Sequence, residues 1–215
     1  MTSPGDEARR PAALPADAEA RRTLLEWLDD TGYSLYGIEH DFRGADLSGA
    51  DLTQAWLIGA VLAGVPLAGV TLHRADLSEA DLSGADLAGA DLVGAKLDRA
   101  VLRSARLDRA DMVGASLHGV DASGASFRGT RIMGASLFGV DLRGADLTDA
   151  VLFHNTFRVT VGDTTSVRGL TGTAFGPVTV AEAGSSREVG GAELEAWIGA
   201  RGGHVRVVPP RRRAP

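Results

Sequence analysis

The fold is decided by the stretch ADLSEADLSGADLAGADLVG, residues 75–94, in which one five-residue unit recurs four times in constant register. The spacing continues in both directions. From Phe42 to Phe157, 24 positions five residues apart hold 18 Leu, three Phe, Met112, Ile132 and Ala122. A period of five matches neither the 3.6-residue period of a helix nor the two-residue period of a strand. It therefore indicates a repeat architecture.

Each unit has the composition of one short side followed by a corner. Two positions before the large residue stands Ala in 17 units and Val in four, and 15 of the 24 units end in Gly. The large and small apolar residues must face inward, while Gly permits the positive φ of a tight corner. A single side cannot bury its Leu, so the chain must wind into a solenoid whose coils pair at about 4.8 Å.

The unit resembles that of the pentapeptide-repeat family, as Ala85-Asp86-Leu87-Ala88-Gly89 shows. The resemblance covers residues 40–159. It implies an all-β solenoid, a right-handed quadrilateral β-helix with four pentapeptides in each coil. About six coils would then form a rod about 29 Å long at the strand spacing.

The flanking segments differ from the repeats in composition. Residues 1–16 contain three of the eight prolines and predict a flexible lead-in, and residues 17–39 predict a short N-terminal helix and cap. The helix is expected over Asp17–Asp30, with an apolar side formed by Leu24, Leu25, Trp27 and Leu28.

The five-residue phase is lost after Phe157, so residues 160–215 are interpreted as a small α/β C-terminal cap with a basic tail at Arg211–Arg213. Strands are predicted at Val178–Val180 and His204–Val208, and a helix at Ala192–Arg201. In the family, a C-terminal helical element also joins two rods. The resemblance therefore offers a homodimer as the alternative to capping, with Trp197 and Ile198 as candidate contacts.

Ala55–Leu72 carries no charge over 18 residues, which is a length typical of a membrane span. The constant five-residue phase and Pro66 favour the solenoid instead. Trp56, Ile58, Val61 and Ala63 then face outward. An exposed apolar patch needs either a cover, such as the N-terminal helix, or a partner.

No motif indicates catalysis. The five His have no metal-binding spacing, no Ser lies in a nucleophile elbow, and the glycines are corner residues rather than a phosphate loop. We therefore expect no enzyme activity, no cofactor and no metal. The chain has no Cys and no apolar signal region near Met1, which favours a cytoplasmic location.

Charge is the informative property of the surface. Eleven of the 24 residues that precede a central residue are Asp. In steps of 20 residues they form columns, and two stacked carboxylates repel by about 1 kcal/mol even in water. Such columns resemble the phosphate spine of duplex DNA. However, residues 40–159 carry 15 acids and 11 bases, a net charge of only −4. A basic cluster at Lys96, Arg99, Arg103, Arg106 and Arg109 also interrupts the columns.

These observations predict a non-catalytic protein-binding scaffold that uses its flat outer faces. The alternative comes from the resemblance, because some family members bind DNA gyrase as DNA mimics and protect it from antibiotics. Under either hypothesis the partner is a protein, and neither nucleic acid nor membrane is bound directly. The candidate partner-binding residues are Asp41, Asp46, Asp81, Asp86, Asp91, Asp141, Trp56 and Ile58.

Overall fold

The chain winds as a β-helix in which each coil takes 20 residues. A computed structural model of the protein describes residues 11–29, 34–182 and 185–208. Parallel bridges join residues 20 positions apart, as in the series Trp56, Asp76, Lys96, Ser116 and Ser136. Four pentapeptides therefore complete one coil and give the molecule four faces. We number the faces by their first residues: face 1 starts at Asp41, face 2 at Asp46, face 3 at Asp51 and face 4 at Tyr36.

The interior is the predicted column of large residues. All 24 central residues from Phe42 to Phe157 are buried, and none is more than 3% exposed. The Ala and Val residues two positions earlier are buried beside them. Ala122 is the small residue among the central positions, yet the walls beside it stay regular. The backbone hydrogen bonds from Leu102 N to Asp121 O (2.7 Å) and from Ala122 N to Asp141 O (2.9 Å) are both present.

The usual corner of the repeats is a hydrogen-bonded turn. The N–H of the small residue donates to the carbonyl of the preceding central residue, as from Ala50 to Leu47 at 3.1 Å. The residue directly before the small residue has a positive φ, for example 68° at Gly49. Eight non-glycine corners of the repeats adopt the same conformation, at Gln54, Arg74, Glu79, Arg99, Ser104, Arg109, Asp149 and His154. Each of these residues bears a steric cost that Gly would avoid.

The N-terminal segment lies against the first coil. Asp17 caps the helix α1 (Ala18–Asp29) by accepting a hydrogen bond from Ala20 N at 2.8 Å. Ala20 and Leu24 are buried, and Thr23 Oγ1 lies 2.9 Å from His40 Nε2. Ala13 forms an antiparallel bridge with Asp46, so the described part of the predicted lead-in is paired.

The C-terminal part continues the walls of the solenoid. Its elements are β1 (Arg131–Met133), β2 (Ser136–Asp141), β3 (Val151–Gly162), β4 (Thr171–Phe175), β5 (Val178–Glu182), β6 (Ser185–Val189), α2 (Gly191–Gly199) and β7 (His204–Val208). Strand β3 pairs in parallel with β1, β2, β4 and β5, while β7 pairs in parallel with β4. Strand β6 returns antiparallel to β5.

Coil pairing extends beyond the predicted loss of phase at Phe157. Asp146 bridges Ser166, and Val167 and Leu170 are buried. A register shift obscures this continuation in the sequence, because Asp141 pairs with Thr160, only 19 residues away. The predicted strands at 178–180 and 204–208 and the predicted helix are present, whereas β6 was not predicted.

The uncharged segment Ala55–Leu72 forms turns and bridges of the solenoid rather than a helix. Neither described helix has the length and apolar character that crossing a bilayer requires.

Candidate protein-binding faces

The eleven Asp residues of the columns all serve the turns that follow them. In every case a carboxylate oxygen accepts a hydrogen bond of 2.9–3.2 Å from the backbone N–H two residues later. This is the local bond by which Asp favours turns. The sequence pattern therefore has a structural explanation at each position, independent of any partner.

Two turns without their own Asp receive a carboxylate from the previous coil. Ser116 stands where an Asp is common, and Asp98 Oδ1 accepts the bond from His118 N at 3.0 Å. In the same way, Ser126 replaces Asp, and Asp108 Oδ1 accepts from Arg128 N at 3.3 Å. Both Ser hydroxyls donate to these oxygens as well. The backbone N–H of the turn therefore keeps a carboxylate acceptor, whether the Asp belongs to the same turn or to the previous coil.

Among the residues that the structure describes, basic side chains pair with at least seven of the eleven Asp residues. The pairs are Asp41–Arg43, Asp76–Lys96, Asp86–Arg106, Asp111–Arg131, Asp121–Arg103, Asp141–Arg143 and Asp146–Arg128, with N–O distances between 2.5 and 3.4 Å. The hydrogen bond from Arg106 holds the pKa of Asp86 below its usual range. The columns therefore consist largely of ion pairs rather than uncompensated negative charge.

The predicted acidic site residues do not share one surface. Asp41, Asp81 and Asp141 lie on face 1, Asp46 and Asp86 on face 2, and Asp91 on face 3. Asp41, Asp86 and Asp141 are paired with Arg. Within the described residues, Asp46, Asp81 and Asp91 have no ion pair.

Face 4 begins with an exposed apolar surface, which we call the end patch: Tyr36, Ile38, Trp56 and Ile58. Tyr36 is 58% exposed, Trp56 45% and Ile38 41%. The Tyr36 and Trp56 rings are nearly parallel, at 9° and with centroids 6.0 Å apart. Val61 and Ala63 lie on face 1 and are only partly exposed. Trp56 remains exposed, so the described N-terminal helix does not form the predicted cover over this side chain.

Tyr36 and Ile38 were missed because the first unit exchanges its large and small positions. Leu35 stands where Ala is usual, and Gly37 stands where Leu is usual. The Phe42 ring takes the space of the missing side chain, since a Cβ on Gly37 would lie 2.5 Å from it. The sequence held one signal for these two residues. Tyr36 and Ile38 lie 20 residues, or one coil, before Trp56 and Ile58.

The candidate dimer residues are occupied within the chain. Trp197 is 8% exposed and Ile198 only 2%. The Arg201 guanidinium lies 4.0 Å from the centre of the Trp197 ring, and Ile198 packs closely on Gly203. Both side chains are thus largely buried within one chain, and the contact between two copies stays a prediction.

Polar groups on face 4 include Ser136, His118 and Asp98, the residue types of a hydrolase triad. Ser136 Oγ lies 2.6 Å from His118 Nε2, but His118 Nδ1 is 3.9 Å from Asp98 Oδ1, too far for a hydrogen bond. Asp98 instead accepts bonds from Ser116 and from the His118 backbone. These hydrogen bonds join side chains and backbone of neighbouring coils. Among the described residues, no group of His, Asp and Glu is placed to hold a metal ion.

Comparison with known families agrees with this geometry. The profile described as pentapeptide repeats matches eight copies between residues 38 and 152, more than half of the chain. The chain belongs to the pentapeptide-repeat family. No curated protein matches this pentapeptide-repeat protein.

Several solved structures are similar to this chain. A pentapeptide repeat protein from the Arabidopsis thaliana thylakoid lumen is 30% identical, with a TM-score of 0.38; the match covers 45% of this chain and 63% of that one. HetL, involved in heterocyst differentiation regulation in the cyanobacterium Nostoc, is 28% identical over 71% of this chain and 82% of its own, with a TM-score of 0.26. The plasmid-mediated fluoroquinolone resistance protein QnrB1 is 18% identical over 82% of this chain and 81% of its own, with a TM-score of 0.29.

Proposed function

We propose that this pentapeptide-repeat protein is a non-catalytic scaffold that binds a protein partner through the end patch. The observation that carries the proposal is the exposed pair of parallel rings, Tyr36 and Trp56, on a flat face. Ile38 and Ile58 extend the apolar surface beside the rings. Large aromatic side chains supply much of the binding energy of protein interfaces, and clustered exposed apolar residues commonly mark such sites.

The hydrogen bonds of the Asp columns favour this proposal over DNA mimicry. Every column Asp has a partner in its own turn, and at least seven also pair with a basic residue within the described part of the chain. A mimic of DNA needs a continuous negative surface, because the field of fixed charges attracts a DNA-binding protein. Paired carboxylates spread over all four faces provide little of that field.

The proposal is tested by partner capture with two matched variants. Trp56→Glu places a charge in the end patch, while Phe138→Glu places one on the same face near the other end of the repeats, where Phe138 is 50% exposed. We expect a stoichiometric partner that the wild type and Phe138→Glu capture and Trp56→Glu loses. Equal capture by all three proteins would overturn the proposal.

Gyrase supercoiling separates the scaffold from the DNA mimic. The triple variant Asp81→Asn, Asp86→Asn, Asp91→Asn removes three charges but keeps an oxygen acceptor for each turn. We expect the wild-type protein at micromolar concentration to leave supercoiling and its quinolone sensitivity unchanged. Inhibition by the wild type that the triple variant loses would instead establish the acidic columns as a gyrase-binding surface.

A further inference from the structure

A surface cavity of about 300 Å³ adjoins the end patch. It lies along the corner between faces 3 and 4 and is lined by Gln54, Ala55, Trp56, Arg74, Asp76 and Lys96. One wall is thus an exposed aromatic ring, and the others carry an amide, two cations and one carboxylate. Ligand sites in proteins commonly combine an apolar wall with a few polar groups in this way.

Two cavity residues occupy strained corner positions. Gln54 and Arg74 have φ values of 58° and 55°, whereas the next three positions in the same column are Gly94, Gly114 and Gly134. A side chain other than Gly is sterically disfavoured in the left-handed region. Strained residues persist where the surrounding fold supports them and cluster at functional sites. The other six non-glycine corners of the repeats lie outside this cavity, so Gln54 and Arg74 are candidates for a binding role because both line it beside Trp56.

The charges of the cavity leave one cation without a partner. Lys96 Nζ lies 3.4 Å from Asp76 Oδ2, and Asp76 also accepts hydrogen bonds from Ser78 N and Oγ. Arg74 has no carboxylate within ion-pair distance in the described part of the chain. Its Cγ lies 3.3 Å from the position that a Cβ on Gly94 would take, so its stem follows the corner of the next coil. The lining therefore has a net charge of +1.

We propose that this cavity binds a carboxylate adjacent to an aliphatic side chain of a peptide. In this arrangement Arg74 and the Gln54 amide donate to the carboxylate, while the aliphatic group packs on the Trp56 ring. An Arg guanidinium suits a carboxylate because it donates two parallel hydrogen bonds. The proposal rests on the proposed function and defines the partner of the end patch as an acidic peptide segment.

The test uses two small probes that differ only in charge, N-acetyl-leucine and N-acetyl-leucinamide. Binding is followed through the indole N–H resonance of Trp56, assigned with the Trp56→Phe variant. We expect N-acetyl-leucine to bind saturably and at least tenfold more tightly than the amide. Arg74→Gly should abolish this preference, and because Gly is the ordinary residue of the column, this variant should fold at least as stably as the wild type.

Arg99→Gly is the matched control. Arg99 also occupies a left-handed corner, with φ of 60°, but it pairs with Glu79 and lies outside the cavity. We expect this variant to keep the preference for the carboxylate. Equal binding of the two probes to the wild type, or an unchanged preference in Arg74→Gly, would overturn the inference.

A third probe, the dipeptide acetyl-leucyl-aspartyl amide, distinguishes the source of the carboxylate. Tighter binding of this peptide than of N-acetyl-leucine supports an acidic side chain, and the reverse order supports a chain terminus; both support the cavity. The two proposals fail separately. If the carboxylate preference is absent while Trp56→Glu still loses the captured partner, only the cavity inference is wrong.

Discussion

Each of the eleven column Asp residues accepts a hydrogen bond from the turn that follows it. Asp91, for example, accepts a bond of 3.0 Å from Val93 N, and it has no ion pair among the described residues. The turn needs an oxygen acceptor at this position rather than a negative charge. Asn offers the same acceptor without the charge.

Asp91→Ala should therefore destabilise the protein, while Asp91→Asn should not. The loss of one partly buried hydrogen bond is expected to cost about 1 kcal/mol. The Asn variant should stay within a few tenths of a kcal/mol of the wild type. Urea unfolding followed by circular dichroism measures both. If Asn destabilised as much as Ala, the charge itself would be the stabilising property.

Three polar residues inside the solenoid link neighbouring coils. Thr130, Asn155 and Thr165 replace small apolar residues, and each donates to the carbonyl of the central residue 23 positions earlier, at 2.8, 2.5 and 2.9 Å. Asn155 also accepts a bond of 2.9 Å from Ala135 N. That N–H makes no turn bond to Ile132 O of the usual kind, so the amide replaces the missing corner bond between β1 and β2.

Asn155→Ala should be more damaging than Thr130→Val. The first change leaves the buried Ala135 N–H without an acceptor, and an unsatisfied buried donor costs about 1–3 kcal/mol. The second change removes a hydroxyl from a carbonyl that still accepts from Ala110 N at 3.0 Å. Thermal unfolding of the two variants compares the costs. An equal loss would show that the corner does not depend on the amide.

Ion pairs connect successive coils over much of the molecule. Lys96–Asp76, Arg99–Glu79, Arg106–Asp86 and Arg131–Asp111 each join residues 20 apart. Their basic members are more than half exposed, so each pair contributes little to stability. Their main effect is to spread both signs of charge over the faces.

Acid should destabilise the whole solenoid. Hydrogen bonds from Arg43 and Arg106 lower the pKa of Asp41 and Asp86, respectively. Partial burial raises the pKa of Asp76, Asp121 and Asp146, but their bonds to the following turn and to a basic residue outweigh it. A carboxylate with a lowered folded pKa contributes its stability above the unfolded value of about 3.9 and loses it as the pH falls through the folded value.

Unfolding temperatures measured from pH 7 down to pH 2 are therefore expected to decline steadily below about pH 4. Added salt should reduce the contribution of the exposed ion pairs and leave that of the turn hydrogen bonds. An unfolding temperature that rose with acid would contradict the assignment of these carboxylates.

The inward column and the corners were predictable from the sequence because both depend on residues within five positions of one another. The same reasoning missed the unit at Leu35–Glu39, where Gly37 replaces the large residue and Phe42 fills its place. It also gave no sign of the coil pairing beyond Phe157, since the shift between Asp141 and Thr160 moves later residues out of phase.

By itself, the sequence determined that the chain forms a repeat solenoid with Leu inside and Asp outside, because burial and turn formation are local requirements of each unit. How the outward residues combine depends instead on the contacts between coils. Stacking at 20 residues per coil brought Tyr36 to Trp56 and Arg106 to Asp86, and it placed Arg74 beside the end patch. The physical reason is that contacts between coils depend on the number of residues in a coil, which a period of five does not specify.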